Sequence, residues 1–109
     1  MLISLAEPDP AWSSTYELVR RRIVEALGAR VLSIEHVGST SVPGLAAKPV
    51  IDVVVEVSDS AAEALYLPAV ESIGFDLRRR EPKWYEHRVF RLDHPATNLH
   101  VFTVGCEEV

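Results

Sequence analysis

Residues 31–57 read Val31-Leu-Ser-Ile-Glu-His-Val37, then Gly38-Ser-Thr-Ser-Val-Pro-Gly-Leu-Ala-Ala-Lys-Pro49, then Val50-Ile-Asp-Val-Val-Val-Glu-Val57. The first run is rich in β-branched residues and predicts a strand. The last is nearly continuous in apolar residues, the pattern of a strand buried on both faces. The connection holds two glycines, two prolines and three hydroxyls. A loop held between two rigid strands is a natural carrier of function. Asp52 interrupts the apolar run near its start, and a charge there is costly unless it is paired or put to use.

The rest of the chain supports a small mixed domain. Asp9-Pro10 reads as an N-cap followed by a first-turn proline. Trp12, Tyr16, Val19, Ile23 and Leu27 then recur at helical steps, and Gly28 is a natural stop. Arg20, Arg21 and Arg22 flank that apolar face as solvated charges. Ser60-Ala-Ala-Glu63 has the form of a capping box, which predicts a second helix from there to about Ile73, closed by Gly74. Pro68 falls inside it, so the helix is kinked or begins late. Phe75–Arg79 reads as a short strand and Arg78–Lys83 as an exposed turn. Tyr85–Leu92 and Asn98–Val104 read as strands joined by a hairpin loop over Asp93–Thr97. Helix, two strands, helix and further strands together imply an α+β domain with a mixed or mostly antiparallel sheet.

Composition narrows the function. With 109 residues the chain has room for one domain and a modest core. A net charge of -5 argues against binding along a nucleic-acid backbone, which calls for a basic excess. Cys106 is the only cysteine, so neither an internal disulfide nor a thiolate zinc cluster is available. Met1-Leu-Ile-Ser-Leu is too short for a signal peptide, and no run is long enough to span a bilayer. The expected setting is the cytoplasm, with no membrane partner.

Several phosphate and nucleophile motifs are missing. From Gly38 the second glycine of a P-loop arrives one place late, at Gly44, and Lys48 stands four residues further on before Pro49. The dinucleotide G-x-G-x-x-G is absent, and Gly38-Ser-Thr-Ser-Val is not the G-x-S-x-G of a serine nucleophile. What remains is an apolar residue, Gly38-Ser39, twelve residues, and Asp52 between Ile51 and Val53.

That spacing resembles the signature of the nucleotidyltransferase superfamily, a Gly-Ser turn after one strand and an acidic pair on the next. More closely, Glu35-His-Val-Gly-Ser-Thr-Ser-Val-Pro-Gly-Leu-Ala-Ala-Lys-Pro-Val-Ile-Asp-Val is similar to the GrpB family, a branch of that superfamily. Trp12 and Asn98-Leu-His-Val101 fit as well. The resemblance implies a nucleotidyltransferase-like fold, with a mixed or antiparallel sheet flanked by helices, over residues 1–109. It also implies the absence of a helical segment that commonly follows in the family. It implies that Gly38, Ser39, Thr40 and Ser41 face phosphate oxygens through amides and hydroxyls. Asp52 would hold magnesium, which takes oxygen ligands and bridges to phosphates.

The chain departs from the superfamily at the acidic pair. Two carboxylates two residues apart share a strand face, and here the second position is Val54. Glu56 is on that face but about 7 Å from Asp52 along the strand. His100, in the triplet Leu99-His100-Val101, occupies the place of a third carboxylate, and histidine serves magnesium poorly. The candidate catalytic residues are therefore Asp52 and Glu56, and the candidate metal ligands are Asp52 and His100. The candidate phosphate or nucleotide binders are Gly38, Ser39, Thr40, Ser41, Lys48 and His36.

Each has a plainer reading. Asp52 can cap loop amides at the strand entrance, and the hydroxyls can simply hold a turn. Lys48 can be a surface lysine. His36, on a face with Leu32 and Ile34, can be a satisfied core histidine, as can His100 beside Phe102. The leading expectation is a domain that binds a nucleotide or phosphorylated small molecule. The alternatives are an active metal-dependent nucleotidyltransferase and a structural or partner-binding domain, including an accessory role in coenzyme A biosynthesis.

Overall fold

A computed structural model describes residues 6–105; Met1-Leu-Ile-Ser-Leu and Cys106 lie outside them. Helix α1 spans Ala11–Leu27 and buries Trp12, Tyr16, Val19, Ile23 and Leu27, the stripe its periodicity marked. Asp9 starts it by accepting a hydrogen bond from the Ala11 amide at 2.8 Å. Gly28 ends it with φ 57°, donating its amide to Val24. A 3-10 turn, Gly28–Arg30, delays the first strand, so β1 spans Ser33–Val37 rather than starting at Val31. Strand β2 is Ile51–Val57.

Five strands form one sheet in the order β1-β2-β5-β4-β3, where β3 is Asp76–Glu81, β4 is His87–Asp93 and β5 is Ala96–Thr103. Strand β2 runs parallel to β5, and every other pairing is antiparallel, so the sheet is mixed. Both helices cover the same face, where Val53, Val55, Phe90, Leu99 and Val101 meet Val19, Ile23 and Val70 in one core. The expectation that β2 is buried on both faces is therefore corrected. Ile51, Val53, Val55 and Val57 are buried, while Asp52, Val54 and Glu56 between them are only half-buried. The apolar run is continuous because Val54 is apolar, and not because a second layer covers it.

Residues 58–86 differ most from expectation. Ser60 does not cap a helix. It is fully buried, and its hydroxyl donates to the Glu86 carbonyl at 2.7 Å and pairs with Thr103. Glu63 lies in a 3-10 turn, Glu63–Leu65, and turns to Arg80 and Arg88 instead of back to Ser60. Helix α2 thus begins late, spanning Leu67–Ser72 with Pro68 in its first turn, where a missing amide costs nothing. Strand β3 extends to Glu81, so Arg78–Glu81 belong to a charged edge strand and not to a turn. The turn falls at residues 82–86, where Tyr85 and Glu86 take φ values of 55° and 51°, so β4 begins only at His87. The β4–β5 hairpin is tighter than expected, leaving only His94 and Pro95 between the strands.

Candidate functional site on the open face of the sheet

The sheet face away from the helices carries Asp52 and Glu56 of β2, His87 and Arg91 of β4, and Asn98 and His100 of β5. Register puts Val37 opposite Asp52, Asp52 beside Asn98, and Asn98 opposite Arg91, a row across four strands. The next row runs Glu35, Val54, His100, Val89. Val54 and Glu56 do share the Asp52 face, as strand alternation requires.

Gly38 closes one end of this face. Its φ is 74°, and a Cβ built on it would stand 2.7 Å from Asp52 Oδ2. Only glycine lets the chain turn here and the carboxylate lie against the backbone. Asp52 Oδ1 accepts a hydrogen bond from Asn98 Nδ2 at 3.2 Å, and His100 Nε2 stands 3.6 Å from the same oxygen, a charge contact rather than a hydrogen bond. Burial pushes the Asp52 carboxyl up. The contacts from His100 and Asn98 and the charges of His100 and His36 outweigh it, so the carboxyl titrates below its ordinary range. Asn98 Oδ1 in turn accepts from Arg91 at 3.2 Å.

The predicted residues divide between two places. Asp52, Glu56 and His100 lie on the open face. His36 points the other way, opposite Val53 and stacked on Tyr16 of α1 with ring centroids 4.7 Å apart. Thr40 is buried beneath the loop and donates to the Val50 carbonyl at 3.3 Å, so its oxygen accepts from His36 Nε2 at 2.9 Å. Burial lowers the His36 pKa, and the Asp52 charge opposes this only in part. Ser41 donates to the Gly38 carbonyl at 2.6 Å. Ser39 is exposed, and its hydroxyl has no partner among the described residues. Lys48 is exposed and forms no ion pair among them either. A cleft of about 410 Å³ opens on the far side of the loop, lined by Trp12, Ser13, His36, Thr40, Ser41 and Val42 among others.

Four further residues belong to the open face and were given no role from sequence: Asn98, Arg91, His87 and Glu81. Asn98 and His100 alternate along β5, which the strand pattern could have shown. The partnership of His87 with His100 could not be read locally, because it depends on β4 lying beside β5.

The donor set does not make a magnesium site. Among the described residues no three His, Cys, Asp or Glu side chains converge on one point. Glu56 is turned away, accepting from Ser33 at 2.6 Å and from the Gly105 amide at 3.2 Å. Asp52 is left as the single carboxylate, so a magnesium ion would find one protein ligand here and depend on water and phosphate oxygens for the rest of its shell.

A mixed five-stranded sheet, helices on one face and a Gly-Ser turn packed on a lone aspartate define an α+β domain of a recognisable class. Residues 2–109 match the family described as GrpB protein, and the chain belongs to that family. It is 50% identical over 107 residues to a UPF0157 protein of Halalkalibacterium halodurans, covering 98% of this chain and 55% of that one. The crystal structure of conserved protein GrpB from Enterococcus faecalis superposes with a TM-score of 0.84 at 30% identity, covering 96% of this chain and 64% of that one. The chain is also 34% identical over 103 residues to the dephospho-CoA kinase of Mycolicibacterium paratuberculosis, covering 84% of this chain and 25% of the kinase. It spans about half the length of the UPF0157 relative. No helix among the described residues is long and apolar enough to cross a membrane.

Proposed function

We propose that this chain binds a nucleotide or a related phosphorylated small molecule where the Gly38–Ser41 turn meets the open face. The observation that carries the reading is the packing of Gly38 on Asp52, which leaves no room for a side chain at the turn. It brings a backbone turn, a free Ser39 hydroxyl and a half-exposed carboxylate to one edge. Phosphate oxygens would take hydrogen bonds from the turn and from Ser39. Lys48 of the loop and Arg91, which reaches Asn98 on the open face, would neutralise them, and Asp52 and Asn98 would orient a sugar hydroxyl or an amide. Catalytic nucleotidyl transfer is the weaker form of this reading, since Val54 stands where the second acid is needed.

Calorimetric titration with a nucleoside triphosphate tests it. Lys48→Ala should weaken binding by about 1–3 kcal/mol, the range for a hydrogen bond to a charged group. The melting temperature should hardly move, because an exposed lysine contributes little. Ser39→Ala should weaken binding by less. Val54→Asp should raise magnesium-dependent affinity at some cost in stability, since it places a second acid on the Asp52 face. If neither nucleotides nor simpler phosphorylated compounds bind at millimolar concentration, the reading fails. An accessory, partner-binding role then leads, favoured by the similarity to part of a dephospho-CoA kinase.

A further inference from the structure

The cleft on the helix side of the loop lies outside the phosphate site proposed above. It opens between the start of α1 and residues 40–44, and its volume of about 410 Å³ suits a small ligand. Its two sides are tied together. The Ala6 amide donates to the Ala47 carbonyl at 2.8 Å and the Ala47 amide returns to Ala6 at 3.1 Å, which fastens the segment before α1 to the far end of the loop. Asp9 holds the first turn of α1, and Ser41 holds the loop through the Gly38 carbonyl. Prolines line both sides, and Val42 of the loop is left 48% exposed, so the walls are largely apolar.

The polar groups of the cleft select by donor and acceptor. Ser13 donates its hydroxyl proton to the Pro10 carbonyl at 3.1 Å, Thr40 to Val50 at 3.3 Å and Ser41 to Gly38 at 2.6 Å. Their oxygens are left as acceptors. Asp9 accepts from Ala11 through Oδ1, and its Oδ2 has no partner among the described residues. Trp12 offers a proton instead. It is only 9% exposed, and its indole N–H has no partner among the described residues. No fully buried side-chain nitrogen among them lacks a partner. The indole N–H is therefore not sealed in the core, and it opens on the cleft that Trp12 lines.

Charge and pairing exclude most occupants. The lining holds one carboxylate and neither lysine nor arginine, so it repels a phosphate. An ammonium would find Asp9 offset by the positive end of α1, and it has no lone pair for the Trp12 N–H. A hydrocarbon chain would cover that N–H and the Asp9 carboxylate without pairing either, at the cost of desolvating both. A neutral ring that carries N–H groups and a nitrogen or carbonyl acceptor pairs with both and sets its faces against apolar walls.

We propose that the cleft between the start of α1 and the Gly38–Gly44 loop binds a nucleobase, with the Trp12 indole donating to a ring nitrogen or carbonyl and Asp9 accepting from an amino group. The choice of a nucleobase among neutral rings rests on the nucleotide reading above; the cleft's selection of a neutral ring with donors and an acceptor does not. Ser41 belongs both to the turn and to the cleft, so a single nucleotide can reach both. Its phosphates stay outside the cleft, at Ser39 and Lys48.

Proton–nitrogen NMR of the full chain, titrated with adenosine, is the test. The chain has two tryptophans, so Trp84→Phe assigns both indole signals. The Trp12 signal should move to saturation with adenosine while that of Trp84 stays in place. Ribose 5-phosphate, which has the phosphate and no base, should leave Trp12 unmoved. Asp9→Asn keeps a residue suited to capping the helix but exchanges a carboxylate oxygen for an amide group, and it should weaken adenosine binding about tenfold. Ser13→Phe fills the cleft and should abolish the shift. Amide spectra and melting temperature establish which variants are folded. A Trp12 signal that ignores adenosine, or follows ribose 5-phosphate equally, overturns the inference. So does an adenosine affinity unchanged in every folded variant. Adenosine carries no phosphate, so the two readings fail separately. If a nucleoside triphosphate binds no tighter than adenosine, the phosphate turn falls and the cleft stands; if it binds without moving Trp12, the reverse holds.

Discussion

Gly38 is held by two constraints at once. Its φ of 74° disfavours any side chain, and the space a Cβ would fill is taken by the Asp52 carboxylate at 2.7 Å. The first constraint belongs to the turn and the second to the packing of the turn on β2, so they can be separated by experiment. Gly38→Ala should destabilise the domain by about 2–4 kcal/mol, combining left-handed strain with overpacking. In an Asp52→Ala background the 2.7 Å carboxylate contact disappears, leaving only the residue-52 Cβ at 3.3 Å, and the strain persists, so the same substitution should cost only about 1–2 kcal/mol. Urea denaturation of the four proteins in that cycle measures both parts. Equal costs in the two backgrounds would mean that the carboxylate yields freely, and that the turn and Asp52 are not one unit.

Among elements, the edge strand β3 is fastened by Glu63. Its carboxylate accepts from Arg80 Nε at 2.6 Å and from Arg88 Nε at 2.7 Å, joining the turn before α2 to β3 and β4. Arg88 is buried and also donates to the Glu86 carbonyl and carboxylate, whereas Arg80 is half exposed. The hydrogen bond from Arg80 leads the effects that hold the Glu63 carboxyl down at about 2, against an ordinary 4.5; burial opposes it and Arg88 adds to it. A depressed acid stabilises the fold above its unfolded value and loses that contribution as pH falls toward its folded value. Stability should therefore drop as pH goes from about 4.5 to about 2. Glu63→Gln should cost about 2–3 kcal/mol at neutral pH, because it leaves Arg88 buried and poorly paired. Melting temperatures from pH 7 down to 2 give the check: the two proteins should converge in acid, and parallel curves would assign the acid sensitivity elsewhere.

For the molecule as a whole, the parallel contact of β2 with β5 is the join that makes one core. It brings together the two chain segments on either side of α2, β3 and β4, and it sets Leu99 in the middle of the sheet at 0% exposure. Leu99→Ala should cost about 2–5 kcal/mol, the loss of buried methyl groups plus the cavity left behind. A single core of this size should unfold in one step. Near- and far-ultraviolet circular dichroism should therefore give coincident transitions in both proteins. Separate transitions would show that β1-β2 and β3-β4 behave as independent units.

What the sequence determined by itself was whatever depends on neighbours along the chain. The 3.6-residue stripe from Trp12 to Leu27 defined α1, and the β-branched runs defined β1 and β2. Gly38-Ser39 and Asp52, with Asn98-Leu-His-Val101, were sufficient for the family resemblance, and the missing acid at Val54 was visible too. Tertiary structure alone decided whatever depends on residues far apart. The apolar run of β2 does not say whether one face or two are covered; the placement of both helices on one side does. Ser60 and Glu63 have the spacing of a helix cap, yet a buried carbonyl at Glu86 and two arginines across the sheet compete for them and win, since a desolvated polar group without a partner costs more than a cap supplies. The contacts on the open face between Glu81 and His87, His87 and His100, and His100 and Asp52 draw on four strands. They exist because the chain orders those strands β2-β5-β4-β3, an order set by burial of the common core and by no local run of residues.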